Sequence, residues 1–224
     1  MISVVVAVRD EPPPGETFLE RLSLDHGAAE VLVAAATDTS PATLDAFRSA
    51  RARVVVSGAP RGARLKAAAL QARGDVLLFL HADTLLPDNW PEAVARGLES
   101  GAVGGAFRLA FDGGGPALAT VAAVARVRTS LTRVPYGDQA PFVRRPVYLS
   151  LGGHQPWPLL EDVEFFTRLR KEGAIVLLPE SVLTSPRRYR RLGVARTVLT
   201  NWLLLLAWRL GASPDHAAAR YRLR

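Results

Sequence analysis

A Rossmann-like α/β fold, its central sheet mostly parallel and flanked by helices, is what this sequence predicts. Four short apolar runs at residues 2–8, 31–35, 53–56 and 76–80 read as strands, and helix-patterned stretches separate them. Runs that are apolar at nearly every position, rather than at alternate ones, belong to strands buried on both faces, the condition of a parallel sheet under helices. With 224 residues, 49% of them hydrophobic, the chain can bury a sizeable core. There is no internal repeat and no linker long enough to set off a second folded domain.

The elements follow in order. After the β-branched run 2–8 comes a Pro-rich loop from Asp10 to Gly15, then a helix over 16–26. The strand at 31–35, a helix over 42–50, the strand at 53–56, a helix over 64–73 and the strand at 76–80 complete the regular half. The second half is less periodic: a strand at 106–111, an Ala/Val-rich helix over 115–132, and a short strand at 141–144. A Gly/Pro-rich loop over 152–158, a helix over 161–172 and a strand at 175–178 follow. The division expected is a folded unit over 1–186 and a basic, then apolar, helical extension over 187–224.

Charge is unevenly placed. The net charge is +7, yet residues 187–224 hold nine Arg against the single acid Asp215, while residues 1–186 hold 19 basic and 20 acidic groups. A nucleic-acid binder spreads its basic residues over a folded face, so a neutral body argues against nucleic acid as a partner. The absence of Cys excludes disulfides, thiolate metal sites and a Cys nucleophile. Residues 2–8 lack the basic start and cleavage site of a leader, and the longest apolar run, 202–208, falls far short of the ~20 residues that cross a bilayer. The expected location is cytoplasmic, or peripheral on the inner face of a membrane.

In parallel α/β sheets ligands bind at the carboxyl ends of the strands. His81-Ala82-Asp83 stands there, where a hard divalent cation would bridge a carboxylate to a diphosphate, although Asp ahead of Pro87 and Asn89 is also ordinary turn chemistry. Glu161-Asp162 opens a helix, placing acids where the macrodipole favours them and where one of them suits a general base. Gly137-Asp138-Gln139 is a turn or a set of pocket-lining polar groups. Arg61, Arg64 and the helix start after Gly62 suit a phosphate, or are solvated.

The order of these signals resembles family 2 glycosyltransferases of the GT-A fold. The resemblance rests on the strand and acidic loop from Val4 to Glu11, the run Gly74-Asp75-Val76-Leu77-Leu78-Phe79-Leu80-His81-Ala82-Asp83, and Gly152-Gly153 ahead of Glu161-Asp162. A bacterial branch with His-Ala-Asp at the DxD position is most similar, through Tyr136-Gly137-Asp138-Gln139 and Asn201-Trp202-Leu203-Leu204-Leu205-Leu206. The resemblance implies a nucleotide-sugar donor and an inverting transfer to an acceptor hydroxyl. It implies Glu11, Arg64, Asp83 and Asp138 on the donor, Asp83 holding Mn²⁺ or Mg²⁺, and Asp162 with Glu161 as the catalytic acids. Gln139, Arg187, Arg188 and Tyr189 would lie on the acceptor and diphosphate side.

Two positions depart from that pattern. Ala34-Ala35-Ala36-Thr37-Asp38 stands where relatives carry a base-reading Asp, and His81 replaces the first acid of DxD. A catalytically degenerate protein that docks on membranes therefore stays open as an alternative. A nucleotidyltransferase is disfavoured by the loop Arg9-Asp10-Glu11-Pro12-Pro13-Pro14, which lacks a Gly-rich phosphate turn. For the tail, packing on the domain, a homodimer contact and an anionic membrane interface all remain open, and a lipid-linked acceptor suits the last of these.

Overall fold

The computed structural model describes residues 1–9, 12–22, 28–215 and 218. β1 (Ile2–Val8) pairs in parallel with β2 (Ala28–Ala36) on one side and β4 (Val76–His81) on the other, and β2 carries β3 (Arg53–Ser57), also in parallel. Beyond β4 the sheet turns mixed. β7 (Phe142–Arg144) runs antiparallel to β4 and to β6 (Gly104–Phe111); β8 (Ile175–Thr184) is parallel to β6, and β5 (Thr84–Leu85) closes the edge antiparallel to β8. The eight strands lie in the order β3-β2-β1-β4-β7-β6-β8-β5. The expected α/β class is thus observed.

Alternate residues of the central strands feed two separate cores. Val4, Val6, Leu78 and Leu80 point to one face, under α1 (Glu16–Arg21), α2 (Pro41–Ser49) and α4 (Trp90–Glu99) through Phe18, Phe47, Trp90 and Val94. Val5, Ala7, Leu77 and Phe79 point to the other, under α3 (Arg61–Leu70), α6 (Arg145–Ser150) and α7 (Glu161–Leu169) through Leu65, Tyr148, Phe165 and Phe166. Each such large apolar side chain contributes about 1.5–3 kcal/mol on full burial. This two-sided burial is why the strands read as unbroken apolar runs.

Several boundaries differ from expectation, each for a local reason. The first helix ends at Arg21, and the remainder of the stretch expected to be helical lies largely outside the described residues. α3 begins at Arg61, three residues early, because Pro60 supplies an extended N-cap and Gly62 N–H donates to Trp157 O at 2.9 Å. β8 runs six residues past its expected end: Pro179 reads as a terminator, but the strand passes it through an irregular register opposite Ala106–Arg108. α4 was not anticipated, although Trp90, Ala93, Val94, Gly97 and Leu98 have helical spacing and all are buried.

The tail folds as α8 (Arg187–Leu192) and α9 (Val194–Arg209), following α5 (Gly115–Thr132) and the long β8 in chain order. α9 packs on the domain through Thr197 and Leu204, with Trp208 edge-on to Trp157 at 6.2 Å between ring centroids. No helix among the described residues is long and apolar enough to cross a membrane.

Candidate active site

The sheet changes character at β4, whose neighbours are the parallel β1 and the antiparallel β7. In the order β3-β2-β1-β4 the connections leave in opposite directions between β1 and β4, opening a crevice beyond the strand ends. A cavity of about 280 Å³ lies there, and its wall includes Asp83, Asp138 and Asp162 together with Arg61 and His81. Three acids far apart in sequence are therefore brought to one place by three elements: the turn after β4, the 3₁₀ turn Gly137–Gln139 and the start of α7.

Asp162 is held by the backbone. Its Oδ2 accepts the Gly137 N–H in a short hydrogen bond, and Oδ1 accepts the Val163 N–H at 2.7 Å. Gly137 is required here: a Cβ at this position would lie 2.4 Å from His81 Nε2 and 3.1 Å from Asp162 Oδ2. Asp138 shares the same turn. Burial pushes its carboxyl up to about 6, Arg128 opposes the rise, and the charges of Asp162 and Asp83 add to it.

Glu161, expected beside Asp162 as a catalytic acid, lies fully buried below the cavity wall. Its Oε1 sits 2.8 Å from Arg61 Nη1, and the other guanidinium nitrogen, Nη2, donates to His81 Nε2 at 2.6 Å. An imidazole nitrogen that accepts from a guanidinium carries no proton itself, so His81 is the neutral Nδ1–H tautomer. Burial first, and the Arg61 charge second, hold the ring well below the usual imidazole pKa. Burial raises Glu161 to about 7, with Arg61 pulling against that rise and Asp162 adding to it. Gly62 leaves room for this arrangement, since a Cβ there would approach Gln155 O to 2.0 Å and Glu161 Cβ to 3.0 Å.

A pH signature follows from the raised Glu161. The folded state keeps its proton to higher pH than the unfolded chain, so its stabilising contribution is full below about 4.5 and is lost as pH rises through about 7. Relative to wild type, Glu161→Gln should therefore gain stability steadily across that window and stay level above it. Urea unfolding at a series of pH values reads this difference, and a pH-independent difference would remove the assignment.

Other expected residues divide cleanly. Arg188 and Tyr189 reach the cavity wall, half-buried; burial lowers the Arg188 guanidinium to about 10 and raises the Tyr189 phenol to about 12. Tyr189 rests edge-on against Phe111 at 5.1 Å. Arg187 is exposed, away from the wall. Gln139 is fully buried: its Oε1 accepts from Arg128, Thr129 and the Tyr136 N–H, and its Nε2 donates to Phe107 O, so it braces the turn that carries Asp138. Arg64 is buried one helical turn after Arg61, where its charge acts on both Glu161 and Asp38. Glu11 lies outside the described residues. Asp38 is drawn to Arg9, whose Nη2 and Nε donate to the same carboxylate oxygen at 2.8 and 3.0 Å.

Residues missing from the expected set complete the wall. Thr197, Asn201, Leu204 and Leu205 of α9 line it, as do Thr184 and Ser185 at the end of β8. The spacing of Thr197, Asn201 and Leu204, four and then three apart, was the available signal, but the apolar residues of the opposite face masked it.

The chemistry suits a divalent cation. Asp83 is exposed at the wall and electrostatically coupled to Asp138, giving two hard oxygen donors beside open space. No cluster of three or more His, Cys, Asp or Glu able to hold a metal occurs among the described residues. Such a wall fits an ion that takes one or two carboxylates from the protein and its remaining ligands from phosphate and water, as Mg²⁺ and Mn²⁺ do.

The family model of glycosyl transferase family 2 matches residues 3–141, more than half the chain. The chain belongs to glycosyl transferase family 2. Solved structures extend the likeness over nearly all of it. A Pyrobaculum calidifontis mannosyltransferase, crystallised with GDP-Man and Mn²⁺, superposes with a TM-score of 0.63 at 20% identity, covering 97% of this chain and 68% of that one. Glucosyl-3-phosphoglycerate synthase from Mycobacterium tuberculosis, with Mn²⁺, UDP and phosphoglyceric acid, gives 0.55 at 18% identity, covering 95% and 79%. Staphylococcus aureus TarS residues 1–349, with UDP-GlcNAc, gives 0.56 at 15% identity, covering 82% of this chain and 58% of that one. This family 2 chain thus spans little more than half the length of the TarS fragment. No curated protein matches it in sequence.

Proposed function

We propose that this family 2 chain transfers a sugar from a nucleotide-sugar donor to an acceptor hydroxyl, with inversion at the anomeric carbon. The observation that carries the proposal is the convergence of Asp83, Asp138 and Asp162 on one cavity at the switch point of the sheet. Asp162, its carboxylate aimed by two backbone N–H groups, takes the proton of the attacking hydroxyl. A positioned base of this kind supplies about 10²–10⁴-fold in rate. Attack and departure occur in one displacement, so the configuration inverts.

Asp83, with Asp138, would hold Mn²⁺ or Mg²⁺; bound there, the ion supplies Lewis-acid stabilisation of the departing diphosphate. Arg61 and Arg188 add fixed positive charge to the same wall, where negative charge develops on the leaving oxygen. The neighbours bound to UDP-GlcNAc and GDP-Man support the donor class. Their different bases, with Asp38 engaged by Arg9, leave the choice of base to the pocket itself. Phe111, Leu159, Leu204 and Leu205 add apolar surface to the cavity wall, which favours an acceptor with an apolar portion, such as a lipid-linked one. Product analysis by NMR after incubation with a donor panel and simple alcohol acceptors tests the reaction. A single product anomer, opposite to the donor's, is expected; a retained configuration overturns the one-displacement mechanism.

A further inference from the structure

We infer that the outer face of α9 is a docking surface for an anionic lipid bilayer. α9 is apolar on both sides but is packed on only one. Thr197, Asn201, Leu204, Leu205 and Trp208 turn inward, to the cavity and the second core. Leu199, Trp202, Leu203, Leu206 and Leu210 follow one another at helical spacing and are 52–79% exposed. They form a continuous stripe on the opposite face.

The surroundings of the stripe choose its occupant. Arg187, Arg190 and Arg191 on α8, and Arg196 and Arg209 on α9, are all exposed. The sequence holds no acid between Glu180 and Asp215. A second copy of this face would bring two such Arg sets together with no carboxylate in the segment to offset them. A nucleic acid would satisfy the charge but not the Leu stripe. A bilayer with anionic headgroups satisfies both: headgroups meet the guanidinium groups, and the stripe with Trp202 enters the interface. α9 is also one wall of the cavity, so docking would set that cavity beside the lipid headgroups.

Co-sedimentation of the full chain with vesicles tests this independently of any transferase activity. Vesicles of phosphatidylcholine alone are compared with vesicles of equal parts phosphatidylcholine and phosphatidylglycerol, at low and high salt. Wild type should pellet with the anionic vesicles and not with the neutral ones, and high salt should weaken it. Trp202→Ser with Leu206→Ser should bind roughly tenfold less well, the loss of two interfacial apolar contacts, with an unchanged unfolding temperature. Arg190→Gln with Arg191→Gln should weaken binding and flatten its salt dependence. No pelleting of wild type with anionic vesicles, or pelleting unaltered in both variants, overturns the inference. A dimer in light scattering that the Trp202/Leu206 variant dissociates, without vesicle binding, assigns the face to a second copy instead.

Discussion

Substitution of Asp162 by Asn is expected to lower turnover by about 10²–10⁴-fold while donor binding stays near wild type. Asn keeps the size of the side chain. Its one amide oxygen, turned to the place of Oδ2, still accepts the Gly137 N–H at the expense of the Val163 one, so the turn that carries Asp138 is left in place. What is lost is the capacity to take a proton. The expected pattern is therefore a fall in kcat without a comparable change in KM for the donor, the mark of an interaction made only in the transition state. Steady-state kinetics at saturating acceptor read it. Unaltered kcat would remove Asp162 from the chemistry and leave the bound turn as a structural feature.

The second large effect belongs to Arg61. Its guanidinium joins Glu161 and His81, residues from α7 and β4, and is the counter-charge of a carboxylate with no solvent exposure. Removing one partner of a buried ion pair costs about 3 kcal/mol when the charge left behind stays ionised. Arg61→Ala should then lower the unfolding temperature by roughly 6–12 °C for a chain of this size. The cost should depend on pH. Below about 7 Glu161 is protonated with or without Arg61 and needs no counter-charge. Above it wild type ionises, whereas the variant, its carboxyl raised further once Arg61 no longer pulls it down, has to hold the proton or bury an unpaired charge, so the cost grows with pH. Destabilisation at pH 8.5 should clearly exceed that at pH 6, and Glu161→Gln in the same background should abolish the difference. A loss of equal size at both pH values would mean that Arg61 acts by packing alone.

What was legible in the sequence follows from what leaves a local pattern. β1 to β4 were visible because burial on both faces demands apolar residues at nearly every position. The end of β8 was not, because Pro179 has no N–H and ordinarily stops a strand, whereas an irregular register carries this one past it. Asp83, Asp138 and Asp162 could be singled out because each sits at an element boundary. The Arg61 link could not: it joins residues 20 and 100 positions away, and only the start of α3 at Pro60–Arg61 places the guanidinium in reach of both. Glu161 and Asp162 are neighbours in sequence, yet successive helical residues point in different directions, which buries one and leaves the other at the cavity. α9 was ambiguous for the opposite reason: both of its faces carry large apolar residues, and packing distinguishes the one that lines the cavity from the one that is exposed.

The most direct test of the central claim is calorimetric titration of the protein with UDP- and GDP-sugars, with and without Mn²⁺, repeated on Asp83→Asn. Saturable binding of one nucleotide class that requires Mn²⁺ in wild type, and is lost in Asp83→Asn, is the predicted result. Absence of binding by every donor, or metal-independent binding of equal strength in both proteins, would contradict a donor site built on Asp83.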